Sequence, residues 1–433
     1  MTRFQFRILI LLFPGAFSLG FFWFFPTHSP DLMATWLAGQ YLEAGQPDQV
    51  YAEVDNYFRM YPPSDWRMFM AREYQYEGPV FPFLYPPLWA KLGQLFSGVN
   101  FWRLAAVALA VNTGLLLATV WLAWRTCRPT IGPILFMGLA IVLLASNHIG
   151  SLALFQNQPQ ILASFLLVLA AERIRAGATA VAGTALALAA AIKIYPALLA
   201  LLWLAGRERR AFAWFVGTGA VLGLISVFWA GWPLHAAFIE QIRLISNSVL
   251  VTGVTFNLDA AIAQLAFGDR LLWVPALEGP SPAEPDPGWY SMPRPLLWRV
   301  ISPLLLLGVL VWLARLFRAA RRDVQVSLLW PLAIIAVALV SPLSWVYYYI
   351  PAACYAPVLL DRLGARLGGT ILLVSFGTIF GPFVKFYRAL SEEDGAAAIF
   401  QTTPYLYQIV GTLAMFVLAT GFYIAARRAM HST

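Results

Sequence analysis

Residues 8–25 read ILILLFPGAFSLGFFWFF, an apolar segment close to the roughly 20 residues that a helix needs to cross a bilayer. No small-residue cleavage site follows this segment, so it predicts a retained first membrane helix rather than a removed signal peptide. The chain then turns polar over residues 26–87. Asp31 stands a few positions beyond the apolar segment, at the membrane surface where a lipid-linked substrate presents its head group. This polar stretch is therefore the leading candidate for the functional region.

The composition of the chain is typical of a polytopic membrane protein. Hydrophobic residues make up 60% and charged residues 12%, against about 25% charged in an average soluble domain. The mean hydropathy is +0.69. The net charge of +8 lies in short arginine clusters between apolar runs, which indicates topology signals rather than nucleic-acid binding. Cys127 and Cys354 lie in or beside predicted helices and indicate neither a disulfide framework nor redox chemistry.

Further apolar segments are long enough to be full or near-full spans. They are residues 104–124, 131–147, 158–171, 211–230, 296–312, 326–340, 346–360, 370–384 and 405–425. With the N-terminal arginines in the cytoplasm, the other arginine clusters fall on the same side and both termini are cytoplasmic. Three polar stretches then face outward: residues 26–87, 231–295 and 385–404. The sequence thus predicts a single all-α integral-membrane domain over residues 1–433, with about ten to twelve transmembrane helices and a large first periplasmic loop.

Two segments do not read as simple spans. Residues 88–99 are short and contain Lys91, and residues 178–205 cannot cross the membrane once if both ends are cytoplasmic. The second segment is interrupted near its middle by Lys193-Ile194-Tyr195-Pro196. Proline breaks helical hydrogen bonding, and broken backbone at membrane depth is tolerated only where it is buried in protein or lines a cavity. We therefore expect half-length or re-entrant helices around an internal cavity.

The second outer stretch carries two further patterns. Phe238, Ile242, Ile245 and Val249 recur at helical spacing, which predicts an amphipathic helix along the membrane surface. Residues 278–295 are rich in proline and predict an extended linker.

Asp31 is the candidate general base. Inverting sugar transfer needs one carboxylate that accepts the proton of the attacking hydroxyl. An aspartate with the ordinary pKa of about 3.9 is already ionised for that role. The alternative is that Asp31 is one of several acids in an outer loop, because the same stretch contains Asp48, Glu53, Asp55, Asp65, Glu73 and Glu77.

Lys193 is the candidate ligand for a phosphate. A charge inside an apolar run costs about 2.5 to 3.5 kcal/mol on insertion scales, and such residues usually mark a pathway or a ligand site. Lys193 would stabilise the charge that builds on a leaving polyprenyl phosphate, with Arg243 as a second cation. The alternative is a lysine that snorkels to an interface.

Outer turns supply the candidates for the sugar and acceptor pocket. Gln156 and Gln158 can hydrogen-bond sugar hydroxyls, or they can be helix-capping and interfacial groups. Tyr85, Trp345 and Tyr348 can stack on sugar faces, or they can belong to an interfacial aromatic belt.

The sequence indicates no metal site and no cofactor. The outer histidines His28, His148 and His235 match no metal-ligand spacing. No Walker, Rossmann or serine-hydrolase motif occurs, so a nucleotide-sugar donor has no support.

Four groups of short motifs, spread over most of the chain, carry a family resemblance. They are Asp31 with 36–42 (WLAGQYL), Gly45 and Val50-Tyr51; 83–87 (FLYPP); 155–158 (FQNQ) with Ala182-Gly183 and 192–196 (IKIYP); and 341–345 (SPLSW). In order and spacing they resemble the bacterial integral-membrane glycosyltransferases of family 87, whose known members are mannosyltransferases that use polyprenyl-phosphate mannose.

The resemblance implies a GT-C type fold, inverting transfer with Asp31 as base, little or no metal dependence, and a site on the periplasmic face of the bacterial inner membrane. The implied partners are a polyprenyl-phosphate-linked sugar, a lipid-linked or cell-envelope glycan acceptor and the bilayer. The chain departs from the pattern at Asn157-Gln158, where many relatives have Gly-Gln. It departs again at Tyr347-Tyr348, where some mannosyltransferases have histidines. These departures leave the sugar and the acceptor open.

The leading hypothesis is therefore a membrane hexosyltransferase, with mannose favoured. An oligosaccharide ligase or polymerase is the alternative within the enzyme class. A transporter or flippase of lipid-linked sugar is the alternative from another class, although the two halves of the chain show no matching broken helices. A non-catalytic scaffold would leave the intramembrane Lys193 unexplained.

Overall fold

The computed structural model describes residues 3–25, 29–52, 55–275, 288–383, 387 and 405–431, with side chains from Leu12 onward. The described residues are mainly helical, with one small sheet, which confirms the predicted fold class. The strands are β1 (Ser248–Val251), β2 (Leu272–Pro275) and β3 (Gly288–Pro293). The helices are α1 (Arg3–Trp23), α2 (Pro30–Glu43), α3 (Ser64–Tyr74), α4 (Pro87–Gln94), α5 (Phe101–Cys127), α6 (Pro133–Ala145), α7 (His148–Phe155), α8 (Gln160–Arg175), α9 (Thr179–Ile192), α10 (Pro196–Ala205), α11 (Arg209–Ala230), α12 (Trp232–Ser246), α13 (Leu258–Ala266), α14 (Leu296–Ala319), α15 (Arg322–Val324), α16 (Trp330–Val340), α17 (Ile350–Tyr355), α18 (Val358–Leu372) and α19 (Leu406–His431).

Within the described residues, 5 helices are long and apolar enough to cross a membrane. They are α5, α11, α14, α19 and the continuous run Arg322–Val340, which contains α15 and α16. Each of them coincides with a predicted span, so the polytopic class is confirmed. Arg322–Val340 is 89% buried and Arg209–Ala230 only 11% buried, which places the first in the centre of the bundle and the second at its periphery.

Other predicted spans are shorter or interrupted. α6 has 13 residues and α8 has 16. The two spans predicted at residues 346–360 and 370–384 are wrong in their boundaries, because α18 runs through the positions between them. Gly364 kinks α18 at φ 80°, a left-handed conformation that glycine adopts without steric cost.

The predicted break at Lys193 is confirmed. α9 ends at Ile192, Lys193 is extended (φ −136°, ψ 136°), and α10 begins at Pro196. With 14 and 10 residues, α9 and α10 are both shorter than a normal span. α4, with 8 residues, is short as well, as expected for residues 88–99.

The first outer stretch folds into helices with a core of their own. α2 packs closely along α4: a Cβ added to Gly39 would lie 2.3 Å from the backbone carbonyl carbon of Gly93. Trp36 Nε1 donates a hydrogen bond to the Val99 carbonyl at 3.2 Å. These contacts hold α2, and with it Asp31, against α4 and the segment that follows it.

A three-stranded antiparallel sheet in the order β1-β3-β2 joins the first and second outer stretches. Ser248 Oγ accepts a hydrogen bond from Phe58 N at 2.8 Å, and Ser291 Oγ donates to Phe58 O at 2.6 Å. Trp289 Nε1 donates to Arg59 O at 2.9 Å. The sheet thereby fixes the backbone that leads to the candidate site.

The sheet corrects two predictions for the second outer stretch. The amphipathic helix is present as α12, but it ends at Ser246, and Val249 lies in β1 instead. The predicted extended linker ends in β3, and its residues 278–287 lie outside the described residues. The third outer stretch, residues 385–404, also lies outside them apart from Tyr387. Cross-strand pairing with residues more than twenty positions away overrides the local helical spacing at Val249.

Candidate active site

A cavity of about 350 Å³ lies where α2, α7, the α9–α10 break and the sheet meet. This volume falls within the range of about 300 to 1,000 Å³ that is usual for small-ligand sites. Five of the predicted site residues line the cavity: Asp31, Tyr85, Gln156, Lys193 and Trp345. The fold thus brings together side chains from five separate places in the sequence.

Asp31 lies in the first turn of α2, where the helix dipole favours a negative charge. Pro30 occupies the start of the helix, and Ser29 before it has a left-handed backbone (φ 58°). Among the described residues, Asp31 Oδ2 has no hydrogen-bond partner although it is buried. Buried polar atoms are normally satisfied, so an unpartnered carboxylate oxygen at a cavity is available to a substrate hydroxyl.

Asn157 positions the start of α2. Its Nδ2 donates to Ser29 Oγ at 2.9 Å and to the Ala105 carbonyl of α5 at 3.0 Å. Its Oδ1 accepts from Asn112 Nδ2 at 3.0 Å. Asn157 itself is left-handed (φ 50°), a conformation in which asparagine is enriched. This buried amide network ties Asp31 to the membrane helices.

Burial raises the pKa of Asp31 from 3.8 to about 7, although the charge of Lys193 and the side chain of Gln158 lower it. Removal from water disfavours the charged form of a carboxyl group. With a pKa near neutrality, about half of the carboxyl is ionised at pH 7, and the ionised form has a high affinity for a proton. Both properties suit a general base.

Lys193 lies across the cavity in the break between α9 and α10. Its Nζ is 4.3 Å from the ring centroid of Tyr85 and 5.6 Å from that of Tyr348. Tyr348 in turn stacks on Tyr195, with centroids 4.9 Å apart and planes 20° apart. None of the ion pairs formed by the described residues includes Lys193. The aromatic faces stabilise the ammonium and leave it free for an anionic ligand.

Tyr85 and Gln156 line the cavity beside these charges, and Gln158 supports Tyr85. Tyr85 OH donates to Gln158 Oε1 at 2.7 Å, and Tyr51 OH donates to the Tyr85 carbonyl at 2.8 Å. Gln156 Oε1 is buried and has no partner within the described part of the chain. Gln158 therefore orients the tyrosine, and Gln156 keeps an acceptor free for a ligand.

The glycosyltransferase family 87 model matches residues 83–342. The chain belongs to this family. No curated protein matches it in a sequence search. The match covers Tyr85, Gln156, Gln158 and Lys193. Asp31 precedes the matched segment, so its candidacy depends on the geometry of the cavity.

Two predicted aromatic residues of this membrane glycosyltransferase differ in position. Trp345 lines the cavity and stacks on Tyr347, with ring centroids 6.1 Å apart. Tyr347 also lines the cavity, whereas Tyr348 is not among the lining residues and contacts Lys193 instead. The sequence pattern favours Tyr348 as the pocket residue, and the structure adds its neighbour Tyr347.

Arg243 is not brought to the cavity of the glycosyltransferase. It lies on α12, whose buried residues are Leu234, Gln241 and Leu244. Its side chain is 72% exposed and its Nη1 is 3.9 Å from Glu240 Oε1. Because successive helical positions rotate by about 100°, Arg243 cannot share the buried face with Gln241. The expectation that it contacts the donor phosphate has no geometric support.

His148 lines the cavity in addition to the residues predicted from the sequence. It begins α7 and lines the cavity together with Leu152 and Gln156, at intervals of four residues on one helical face. Its Nδ1 is 3.2 Å from Tyr407 OH on α19. In the sequence, the spacing of His148, Leu152 and Gln156 at intervals of four could have indicated that His148 shares a helical face with Gln156.

The described residues contain no group of three or more His, Cys, Asp or Glu side chains that could hold a metal ion. The cavity offers instead one carboxylate, one ammonium, the Gln156 amide, the His148 imidazole and aromatic rings. Such a set can bind a polar, hydroxyl-rich ligand that carries an anionic group.

Proposed function

We propose that this membrane glycosyltransferase transfers a hexose, with mannose favoured, from a polyprenyl-phosphate sugar to a hydroxyl of a lipid-linked or cell-envelope glycan. Transfer proceeds with inversion on a GT-C type fold, at the periplasmic face of the bacterial inner membrane. The observation that carries the proposal is the placement of Asp31 and Lys193 in one cavity without a direct ion pair between them.

The two charges match the two halves of the transfer. Asp31 accepts the proton of the acceptor hydroxyl as its oxygen attacks the anomeric carbon of the sugar. The bond from that carbon to the phosphate oxygen breaks, and polyprenyl phosphate leaves with the bonding electrons. Lys193 faces the phosphate and stabilises its growing charge. A direct Asp31–Lys193 ion pair would neutralise both groups, so their separation supports this division of roles.

Neutral groups complete the proposed sugar pocket. Gln156 Oε1 is free to accept a hydrogen bond from a sugar hydroxyl, and Trp345 presents an indole ring to the same space. Tyr85 contacts Lys193 and borders Gln158, so it shapes the region where phosphate and sugar meet.

A second cavity of about 400 Å³, lined by α1, α5, α6 and α7, supports a lipid-linked substrate. Its lining is apolar, because the hydroxyls of Thr113 and Ser151 both donate to carbonyls of nearby residues on the chain. α7 separates the two cavities: Leu152 lines the first, and Ser151 and Leu154 line the second. A hydrocarbon chain in the second cavity leaves its head group close to the first.

The test offers polyprenyl-phosphate mannose, glucose and arabinose in turn to the purified protein in nanodiscs, with total lipid extract as acceptor. We expect turnover of one donor by the wild type and a loss of about 10²- to 10⁴-fold in Asp31→Asn, with donor binding retained. Asp48→Asn is the matched control, because Asp48 is an exposed acid of the same outer stretch.

Two outcomes would contradict the proposal. Equal activity of Asp31→Asn and Asp48→Asn would remove Asp31 from the mechanism. If no donor is consumed while labelled lipid-linked sugar crosses a proteoliposome bilayer, the protein is a flippase.

A further inference from the structure

A second polar cavity lies far from the candidate active site. It measures about 550 Å³ and is lined by Trp121, Trp124, Arg125, Arg128 and Arg175 with Glu172. α5 connects the two regions, since its Ala105 carbonyl binds Asn157 at the active site. From Ala105 to Arg125 the helix extends about 30 Å, which is the thickness of the hydrocarbon core. This arginine-lined cavity therefore lies at the opposite membrane surface, on the face proposed to be cytoplasmic.

Positive charge exceeds negative charge in this cavity. Glu172 is buried, and its two oxygens pair with Arg125 at 2.9 Å and with Arg173. Arg175 pairs with Asp323 at 2.6 Å. Arg128 is exposed and takes part in no ion pair with any other described residue. One guanidinium of the cavity thus remains without an anionic partner.

The aromatic residues give the cavity a boundary between polar and apolar regions. The Arg125 guanidinium carbon lies 4.7 Å from the ring centroid of Trp121, so one face of the cation is covered. Trp124 lies one helical turn further along α5 and also lines the cavity. Tryptophan is enriched where a protein meets lipid head groups.

We propose that this cavity binds the phosphate of an anionic phospholipid in the leaflet opposite the active site. Arg128 and Arg125 contact the phosphate, and Trp121 and Trp124 pack against the glycerol and the first part of the acyl chains. Guanidinium groups suit phosphate because they donate parallel hydrogen bonds from a planar fork. Basic pockets between helices on the cytoplasmic side are a recurring form of anionic lipid site.

The test uses native mass spectrometry of the full chain in detergent, titrated with phosphatidylglycerol or with phosphatidylcholine. We expect a preferred first phosphatidylglycerol and a roughly fivefold weaker affinity for it in Arg128→Gln, as for the loss of one arginine near a membrane surface. Arg428→Gln is the matched control, because Arg428 is also exposed and lies in the last turn of a membrane helix, α19.

The variants alter exposed side chains, and a thermal melt checks that each is folded. An equal loss of affinity in Arg428→Gln would mean that general surface charge, not this cavity, holds the lipid. Equal binding of the two lipids would overturn the proposal. Displacement of phosphatidylglycerol by millimolar inorganic phosphate would also overturn it, since the site would then recognise a free anion.

Discussion

The pH dependence of Lys193→Met tests whether the two charges of the cavity act together. Lys193 favours the ionised form of Asp31, so its positive charge lowers the pKa of that carboxyl. When the cation is removed, the carboxylate becomes less stable and the pKa of Asp31 rises. A general base must be ionised to act, so the variant loses activity at a higher pH than the wild type does.

The size of the effect follows from the position of the carboxyl. With a pKa of about 7, half of Asp31 is ionised at pH 7 and about one-tenth at pH 6. Below about pH 6, kcat/KM of the wild type falls about tenfold for each pH unit, because kcat/KM follows the ionisation of essential groups in the free enzyme. A nearby opposite charge lowers a carboxyl pKa by roughly 1 to 3 pH units. The fall of kcat/KM at low pH is called the acid limb of the profile. We therefore expect the acid limb of Lys193→Met to lie at least about one pH unit above that of the wild type.

The assay measures kcat/KM for the active polyprenyl-phosphate sugar between pH 5 and pH 9, with each profile normalised to its own plateau. The plateau of Lys193→Met also falls, by about 10²- to 10³-fold if the lysine stabilises the leaving phosphate. Lys193→Arg retains the charge and should keep the limb of the wild type. A wild-type profile without an acid limb would refute the role of Asp31 as base, and an unmoved limb in Lys193→Met would refute the coupling.

Three further variants test the packing and the wall of the site. Gly39→Ala should lower stability by about 1 to 3 kcal/mol, because its Cβ would lie 2.3 Å from the Gly93 backbone. Gly138→Ala has nothing within 4 Å and should not lower the melting temperature, so equal melting of the two would contradict this argument. Asn157→Ala leaves buried groups of α2 and α5 without partners and should cost about 1 to 3 kcal/mol in a thermal melt, with a lower kcat; full stability would exclude the anchoring role. His148→Gln should raise the KM for the donor but leave the acid limb in place, and a moved limb would show that His148 takes part in the proton transfer.

Features with a strong local cause could be predicted from the sequence. A proline three residues after an intramembrane lysine interrupts any helix, and the structure has the break between α9 and α10 at that position. The apolar runs of α5, α11, α14 and α19 were recognised from length and composition for the same reason. Asp31 and Lys193 were selected singly, from a carboxylate at a surface and a charge in an apolar run.

Features that depend on distant contacts could not be predicted. Arg243 and Lys193 are both cations in polar or broken segments, so the sequence alone does not tell which of them reaches the cavity. Arg243 is excluded because α12 buries a different face. The position of Val249 depends on its pairing with Met292 across the sheet. The spacing of His148, Leu152 and Gln156 places them on one face of α7, but the direction of that face depends on contacts with distant residues such as Tyr407.

The path between the two polar cavities argues for chemistry at one surface rather than transport. On α8, the buried residues beyond Ser164 are apolar as far as Ala171, and Glu172 follows in its ion pairs with Arg125 and Arg173. This apolar interval extends about 12 Å. Within this interval the indole of Trp330 on α16 donates a hydrogen bond to the Leu167 carbonyl of α8 at 3.0 Å, so the two helices are in direct contact there. A phosphate that crossed this interval would lose its water and find no polar partner among these side chains, at a cost of several kcal/mol. The proposed transfer avoids that cost, because in it the donor phosphate would meet Lys193 and leave again on the same side of the membrane.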